Sequence, residues 1–363
     1  MVESLNGADL RRCQQGRKQT IMISRRQLLE HAKAQKATDI HVCAGAPIMF
    51  RIGGKLVPIT KEKLTVTQSR EISLELLTDE QKAQFEKDLD YDLMLADGDG
   101  RYRINIGYFN GEVGSTIRIL PTRPMTIDEL LLPEVVTKLA QRTKGLVLIT
   151  GSTSQGKTTT MTAMIDHINT TCEKHIVTIE DPIEYVHTNK VGVVRQREIG
   201  RDTQSFHTGL RAALRQDPDV IAIGEMRDYE TIKIALTAAE TGVLVLSTLH
   251  VISIDKIIER LLSYAPASDE GQLRFLLAES LQGMIHQELV PTVDGGQRVA
   301  CEVLVVTSAA KNIIRRKGGF FLRSVIETGR KHGMMTMLES LNGLLEAGTI
   351  SEDVAKAVSI NYE

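Results

Sequence analysis

Residues 151–158 read G-S-T-S-Q-G-K-T, an instance of the pattern G-x-x-x-x-G-K-[ST]. No other stretch of the chain restricts its fold as tightly, because such a loop works only where a buried strand enters it and a helix leaves it. Both neighbours are present. Leu146-Val147-Leu148-Ile149-Thr150 is a short apolar run, and Met161, Met164, Ile165 and Ile168 recur at i, i+3, i+4 and i+7 as one face of a helix. In that setting the backbone N–H groups of the loop and the helix N-terminus cradle phosphates. Gly151, Ser152, Thr153, Ser154, Gln155, Gly156, Lys157, Thr158 and Thr159 are therefore the expected nucleotide-binding residues. Lys157 would reach the β- and γ-phosphates, and Thr158 would ligate Mg²⁺.

Further apolar runs follow at 176–179, 220–223 and 243–249, with helical stretches between them. Short, unalternating and rich in Val and Ile, they read as strands buried on both faces of a mostly parallel sheet, an α/β arrangement. The carboxyl ends of such strands converge on the ligand crevice. The run at 220–223 leads to Glu225, expected to activate or position the attacking water and to contact the metal. The run at 176–179 leads to Glu180 and Asp181, expected to order water and Mg²⁺, and the third ends at His250, expected to sense the γ-phosphate or orient water.

At 363 residues the chain has room for two domains. Pro121-Thr122-Arg123-Pro124 is the expected break, since two prolines in four residues stop both helix and ladder. This divides the sequence into a first α/β domain at 23–120, a linker at 121–126, a nucleotide-binding core at 127–307 and a helical region at 308–363. Residues 1–22 read as a disordered extension, or as a segment ahead of a true start at Met22, because a helix signal with Ser24 as N-cap follows at once. Within the first domain, Gly53-Gly54 and Asn110-Gly111 mark hairpin turns, and a single helical stretch is expected over 67–87. Arg101, Arg103 and Arg118 lie on its expected strands, placed to stabilise transferring charge in a neighbouring chain. Near the C-terminus, Met334, Met337, Leu338, Leu341, Leu344 and Leu345 form an apolar stripe read as core packing, Gly348 a helix C-cap, and Thr349 the N-cap of the next helix.

Composition excludes several classes. A net charge of −2 gives no global attraction to nucleic acid or an anionic membrane. The cysteines Cys13, Cys43, Cys172 and Cys301 form no zinc-site or disulfide spacing. No apolar run approaches the roughly 18–20 residues a membrane span needs, so a cytoplasmic chain reaching the membrane through partners is expected.

In order, the phosphate loop, I-E-D-P-I-E-Y-V-H at 179–187, D-P-D-V-I-A-I-G-E-M-R-D at 217–228 and T-A-A-E-T-G-V-L-V-L-S-T-L-H at 237–250 resemble the secretion-superfamily ATPases, and within them the PilT-like retraction motors of type IV pili. Ala37-Thr38-Asp39-Ile40-His41, Arg101-Tyr102-Arg103-Ile104-Asn105 and the segment 196–203 are similar to further parts of that family, so the resemblance spans about 23–350. It implies a PAS-like N-terminal domain and a RecA-like C-terminal domain with a helical C-terminal part. It also implies a homohexamer that binds ATP and Mg²⁺ between the domains, the next subunit's N-terminal domain closing the site. Hydrolysis would drive pilus retraction and twitching motility through an inner-membrane platform protein at the pilus base, without direct nucleic-acid binding or membrane insertion. Assembly motors of the superfamily usually carry a tetracysteine module and a longer N-terminal region, neither of which stands here, and this favours retraction. The alternatives are a weakly hydrolysing paralog that regulates a retraction ATPase, and more remotely an assembly ATPase or a DNA translocase.

The sequence departs from the family pattern at three places. The loop usually reads G-P-T-G-S-G-K-[ST], whereas here Ser152, Ser154 and Gln155 replace proline, glycine and serine. Val243 stands where a histidine is usual, and Ala309-Ala310-Lys311-Asn312-Ile313 stands for A-I-R-N-L. Serine is strained at positive φ where glycine is not, so altered loop geometry is expected at Ser154.

Overall fold

The structure is a computed structural model and describes residues 24–98, 100–316 and 321–362. The reading of residues 1–22 lies outside these. The chain separates into two compact units after Thr122.

The first unit begins with α1 (Arg25–Ala34), capped by Ser24 in a reciprocal pair with Gln27. Then come β1 (Asp39–Val42), β2 (Met49–Ile52), β3 (Lys55–Pro58), α2 (Val66–Leu74), α3 (Asp79–Asp88), β4 (Asp90–Asp97), β5 (Gly100–Phe109) and β6 (Glu112–Leu120). The strands form a sheet in the order β3-β2-β1-β6-β5-β4, every neighbouring pair antiparallel. Gly53-Gly54 and Asn110-Gly111 turn two of its hairpins with all four residues at positive φ, the conformation that matches strand twist across a two-residue loop. The core is Leu28, Leu29 and Ala32 of α1 against Ile40, Phe50, Ile104, Ile106 and Ile117 of the sheet, with Phe85 of α3. The single helix expected over 67–87 is two helices. Thr78 accepts the N–H of Gln81 and Gln81 bonds back to Thr78, a capping box that starts α3 afresh.

The second unit runs α4 (Glu134–Ala140), β7 (Gly145–Thr150), α5 (Lys157–Thr171), β8 (His175–Glu180), β9 (Val193–Glu198), α6 (Phe206–Ala213), β10 (Val220–Glu225), α7 (Tyr229–Thr241), β11 (Leu244–Leu249), α8 (Ile254–Leu262), α9 (Glu270–Ser280), β12 (Leu281–Pro291), β13 (Gln297–Val305), α10 (Ser308–Arg315), α11 (Leu322–Thr328), α12 (Met337–Glu346) and α13 (Glu352–Ser359). Its sheet has the order β13-β12-β7-β11-β10-β8-β9. All neighbours are parallel except β12 and β13, which form an antiparallel hairpin. Every residue of β7 and β11 is buried, as two helical layers over a parallel sheet require. Each fully buried Val, Leu or Ile here contributes roughly 1.5–3 kcal/mol of burial free energy.

The C-terminal stripe is core. Met337, Leu341, Ile350, Ala355 and Tyr362 are buried with Val290 of β12 and Ala300 of β13. Gly348, at φ 66°, follows α12 as expected. The next cap differs: α13 is capped by Ser351, whose side chain accepts the N–H of Val354. Thr349 instead donates its N–H to Leu344 and accepts from Val293, so its backbone belongs to the closure of α12. Among the described residues no helix is long and apolar enough to cross a membrane.

Candidate functional site

Parallel strands bring the carboxyl ends of β7, β11, β10 and β8 to one edge of the second unit, and the phosphate loop lies there between β7 and α5. Gly151 and Gly156 take φ of 149° and 76°. A Cβ on Gly151 would stand 2.5 Å from the Gln287 carbonyl oxygen, so the loop's approach to β12 requires glycine. Ser154 takes φ 63°, the left-handed conformation expected to strain it, at a cost of about 1–2 kcal/mol for an L-residue. Gln155 does not face outward like its neighbours. Its main-chain oxygen accepts from Gln287 Nε2 at 2.6 Å, and its side-chain Oε1 accepts the N–H of Leu289.

Lys157 opens α5 and is 7% exposed. Its ammonium donates to the Gly151 and Ser152 carbonyls at 2.9 and 2.6 Å and lies 3.3 Å from His250 Nδ1. Thr158 is half-buried on the first turn of α5. The Thr159 hydroxyl pairs with that of Tyr185 at 3.1 Å.

Glu225 ends β10 after a register shift between Ile223 and Glu225 that sets it opposite Thr248. The Thr248 hydroxyl donates to the Gly224 carbonyl at 2.6 Å and fixes the irregularity. Glu225 Oε2 lies 2.7 Å from Arg227 and 3.6 Å from His250 Nε2. His250 thus stands between the lysine of the loop and the acid of β10. Burial, then the Lys157 charge, holds its pKa below the ordinary 6.5, with Glu225 opposing. Burial lowers Lys157, again opposed by Glu225. Arg227 is raised, chiefly by its hydrogen bond to Glu225. Arg227 was not among the expected site residues, although it stands two positions after the acid, where any side chain leaving the strand end stays close.

Glu180 is 6% exposed at the end of β8 and accepts from the Thr178 hydroxyl at 2.6 Å and from Gln196 Nε2 at 3.0 Å. Its carboxylate therefore also ties β8 to β9. Asp181 is exposed and close enough to Arg227 to raise its pKa. Among the described residues no group of three or more His, Cys, Asp or Glu is poised to hold a metal ion. A hydroxyl at Thr158 and single carboxylates at Glu225 and Asp181 still suit Mg²⁺, which takes one or two protein oxygens and leaves the rest to phosphates and water.

The arginines belong to the first unit. Arg103 on β5 and Arg118 on β6 are directly opposite, both exposed, and share a face with Asp39 and Arg51 in one cross-strand row. Asp39 pairs with Arg118 at 3.0 Å and with Arg51 at 3.7 Å, which offsets the repulsion of two facing cations. Arg101 lies on the same strand as Arg103, half-buried.

The other departures sit away from the loop. Val243 precedes β11 at the end opposite His250, seven residues or about 23 Å along an extended strand, and packs against the core. Lys311 on α10 donates to the backbone oxygen of Glu279 at 3.3 Å, with its carboxylate at 3.5 Å, and Arg315 pairs with the same acid.

A buried parallel sheet, a G-x-x-x-x-G-K-T loop between strand and helix, and an acid at a neighbouring strand end define a P-loop nucleotide-binding protein. The model of the Type II/IV secretion system protein family matches residues 14–358, and the chain belongs to this family. It is 42% identical over 331 residues to the type IV pilus retraction ATPase PilT of Pseudomonas aeruginosa, covering 91% of this chain and 96% of that one. It is 38% identical over 322 residues to the type IV pilus ATPase PilU of the same organism, covering 88% and 84%. A crystal structure of the pilus retraction motor PilT with bound ADP superposes with a TM-score of 0.84 at 38% identity, covering 93% of this chain and 97% of that one.

Proposed function

We propose that this chain is a Mg²⁺-dependent ATPase that works as a homohexamer and retracts type IV pili. The observation that carries the reading is the line Lys157–His250–Glu225 at the strand ends, beside a phosphate loop, in a chain so similar to PilT.

In this reading Lys157 exchanges its two loop carbonyls for phosphate oxygens, which accept more strongly because they are charged. Mg²⁺, held by Thr158 with Glu225 or Asp181, would offset phosphate charge. Glu225 accepts a proton from, or orients, the attacking water. His250, its neutral form favoured beside the Lys157 charge, relays the state of the phosphate to Glu225 by hydrogen bonding. Glu180 orders water from the neighbouring strand. Arg103 and Arg118 reach the site of an adjoining subunit and stabilise transferring charge. The ring would work at the inner-membrane base of the pilus, through a platform protein.

A second reading is a slowly hydrolysing regulator of another retraction ATPase. The left-handed Ser154 favours it, since backbone strain in the loop would slow turnover. The test is ATP turnover of the purified protein beside Lys157→Ala, together with restoration of twitching in a strain without its retraction ATPase. Turnover lost in Lys157→Ala and restored twitching support the motor. Ring assembly with negligible turnover and no restoration supports the regulator, and turnover unchanged in Lys157→Ala defeats the site itself.

A further inference from the structure

β12 is longer than the strand beside it. Its pairing with β7 ends at His286 against Thr150, while β12 continues to Pro291. From Gln287 onward, no strand among the described residues pairs with the edge that faced β7. The phosphate loop covers that edge. Gly151 rests against the Gln287 carbonyl, the Gln287 side chain donates to the Gln155 carbonyl, and the Leu289 N–H, which β7 does not reach, goes to Gln155 Oε1. Gln287 is fully buried. One end of the turn 151–155 therefore abuts β12 at Gly151 and the other is bonded to it at Gln155, and the residues between must close the gap. Ser154 closes it in the left-handed conformation, where serine is disfavoured and glycine is not.

We infer that Gln155 is a positioning residue that locks the loop onto β12 and thereby holds Ser154 left-handed, so that the cradle meets a nucleoside di- or triphosphate already formed. Ser154 and Gln155 then act as a pair: the strain at one position is sustained by the grip at the next. This rests on the reading of residues 151–158 as the nucleotide site. It predicts that the two positions are energetically coupled, whereas independent substitutions would act additively.

The experiment compares Gln155→Ala, Ser154→Gly, the double variant and Gln155→Glu with the unaltered full chain. ADP affinity is measured by calorimetry and exchange of the Leu289 amide by NMR without nucleotide. Gln155→Ala removes the side-chain bond to Leu289 and leaves the main-chain one, and should weaken ADP by up to about tenfold, the worth of one hydrogen bond. The same change in the Ser154→Gly background should cost about threefold or less, since glycine holds the turn unaided. The Leu289 amide should exchange faster in Gln155→Ala and stay protected in Gln155→Glu, which keeps the acceptor oxygen. Equal losses of affinity in both backgrounds, or an unchanged Leu289 amide in Gln155→Ala, overturn the inference alone. An unaltered chain that binds no ADP overturns the site reading and the inference with it.

Discussion

The Lys157 ammonium lies 3.3 Å from Nδ1 of His250, whose other ring nitrogen lies 3.6 Å from a carboxylate oxygen of Glu225. An ammonium has only donors, so Nδ1 must accept and the ring must be neutral, with its proton on Nε2 toward Glu225. Burial and the Lys157 charge favour that neutral form.

Acidification should therefore break this line. Protonated His250 places two cations in contact, so turnover should fall on the acid side with an inflection below 6.5, the ordinary histidine value. His250→Gln keeps a donor and an acceptor but cannot titrate, and its acid limb should vanish. A pH–rate profile decides the matter: an inflection at or above the ordinary value, or the same limb in His250→Gln, excludes the histidine as its source.

Glu225→Gln should separate binding from chemistry. The amide keeps the size and one acceptor, so ADP should bind within a few-fold of the unaltered chain. Turnover should drop about 10²–10⁴-fold, the usual worth of a general base. A variant with normal turnover would mean that another group handles the water.

Glu302 should make stability fall with rising pH. It lies on β13, 7% exposed, facing Asp255 of α8 and Arg323 and Glu327 of α11, with a backbone hydrogen bond from Met337. Burial, then Asp255, pushes its carboxyl up to about 7 from 4.5, while Arg323 opposes. The folded chain thus keeps a proton that the unfolded chain releases across that interval. The contribution is whole below 4.5 and is lost as pH rises through about 7. Glu302→Gln mimics the protonated form. It should stay within about 1 kcal/mol of the unaltered chain near pH 5 and exceed it by about 3 kcal/mol near pH 8. Thermal unfolding at the two pH values would show this, and an equal difference at both would disprove it.

Arg103→Ala should affect turnover far more than stability. The side chain is exposed and opposite another arginine, so its loss should change stability by about 0.5 kcal/mol or less. If it acts on a neighbour's site, mixing Arg103→Ala with Lys157→Ala chains should recover turnover that neither has alone, because some interfaces then carry one intact half from each. No recovery on mixing, with both variants assembled, would place the arginine outside the reaction.

What the sequence made legible was whatever a single local rule controls. The loop, α5 and the strands β7, β8, β10 and β11 follow from buried Val and Ile runs and one helical period. The helix break at Thr78 escaped because polar residues on both sides are good helix formers, and only the capping geometry separates them. The strands β9, β12 and β13 escaped for a different reason. β9 carries Arg195, Gln196 and Arg197, and β12 carries His286 and Gln287, polar groups that belong in a sheet only because of distant partners. Gln196 holds Glu180, Gln287 holds the loop, and His286 lies between Thr150 and Tyr362. No window of sequence contains those partners. Strain at Ser154 was readable from residue type; the grip that sustains it was not.

The overhang of β12 beyond β7 makes the phosphate loop a structural neighbour of the α12–α13 segment. Val290 on that overhang packs with Met337, Leu341 and Tyr362, and the Tyr362 hydroxyl reaches Glu288 on the same strand at 2.6 Å. The eight residues of the signature are therefore not a portable cassette. Grafted into another protein without this strand they would lose their footing, and exchanging only the last helices would reach the phosphate loop through β12.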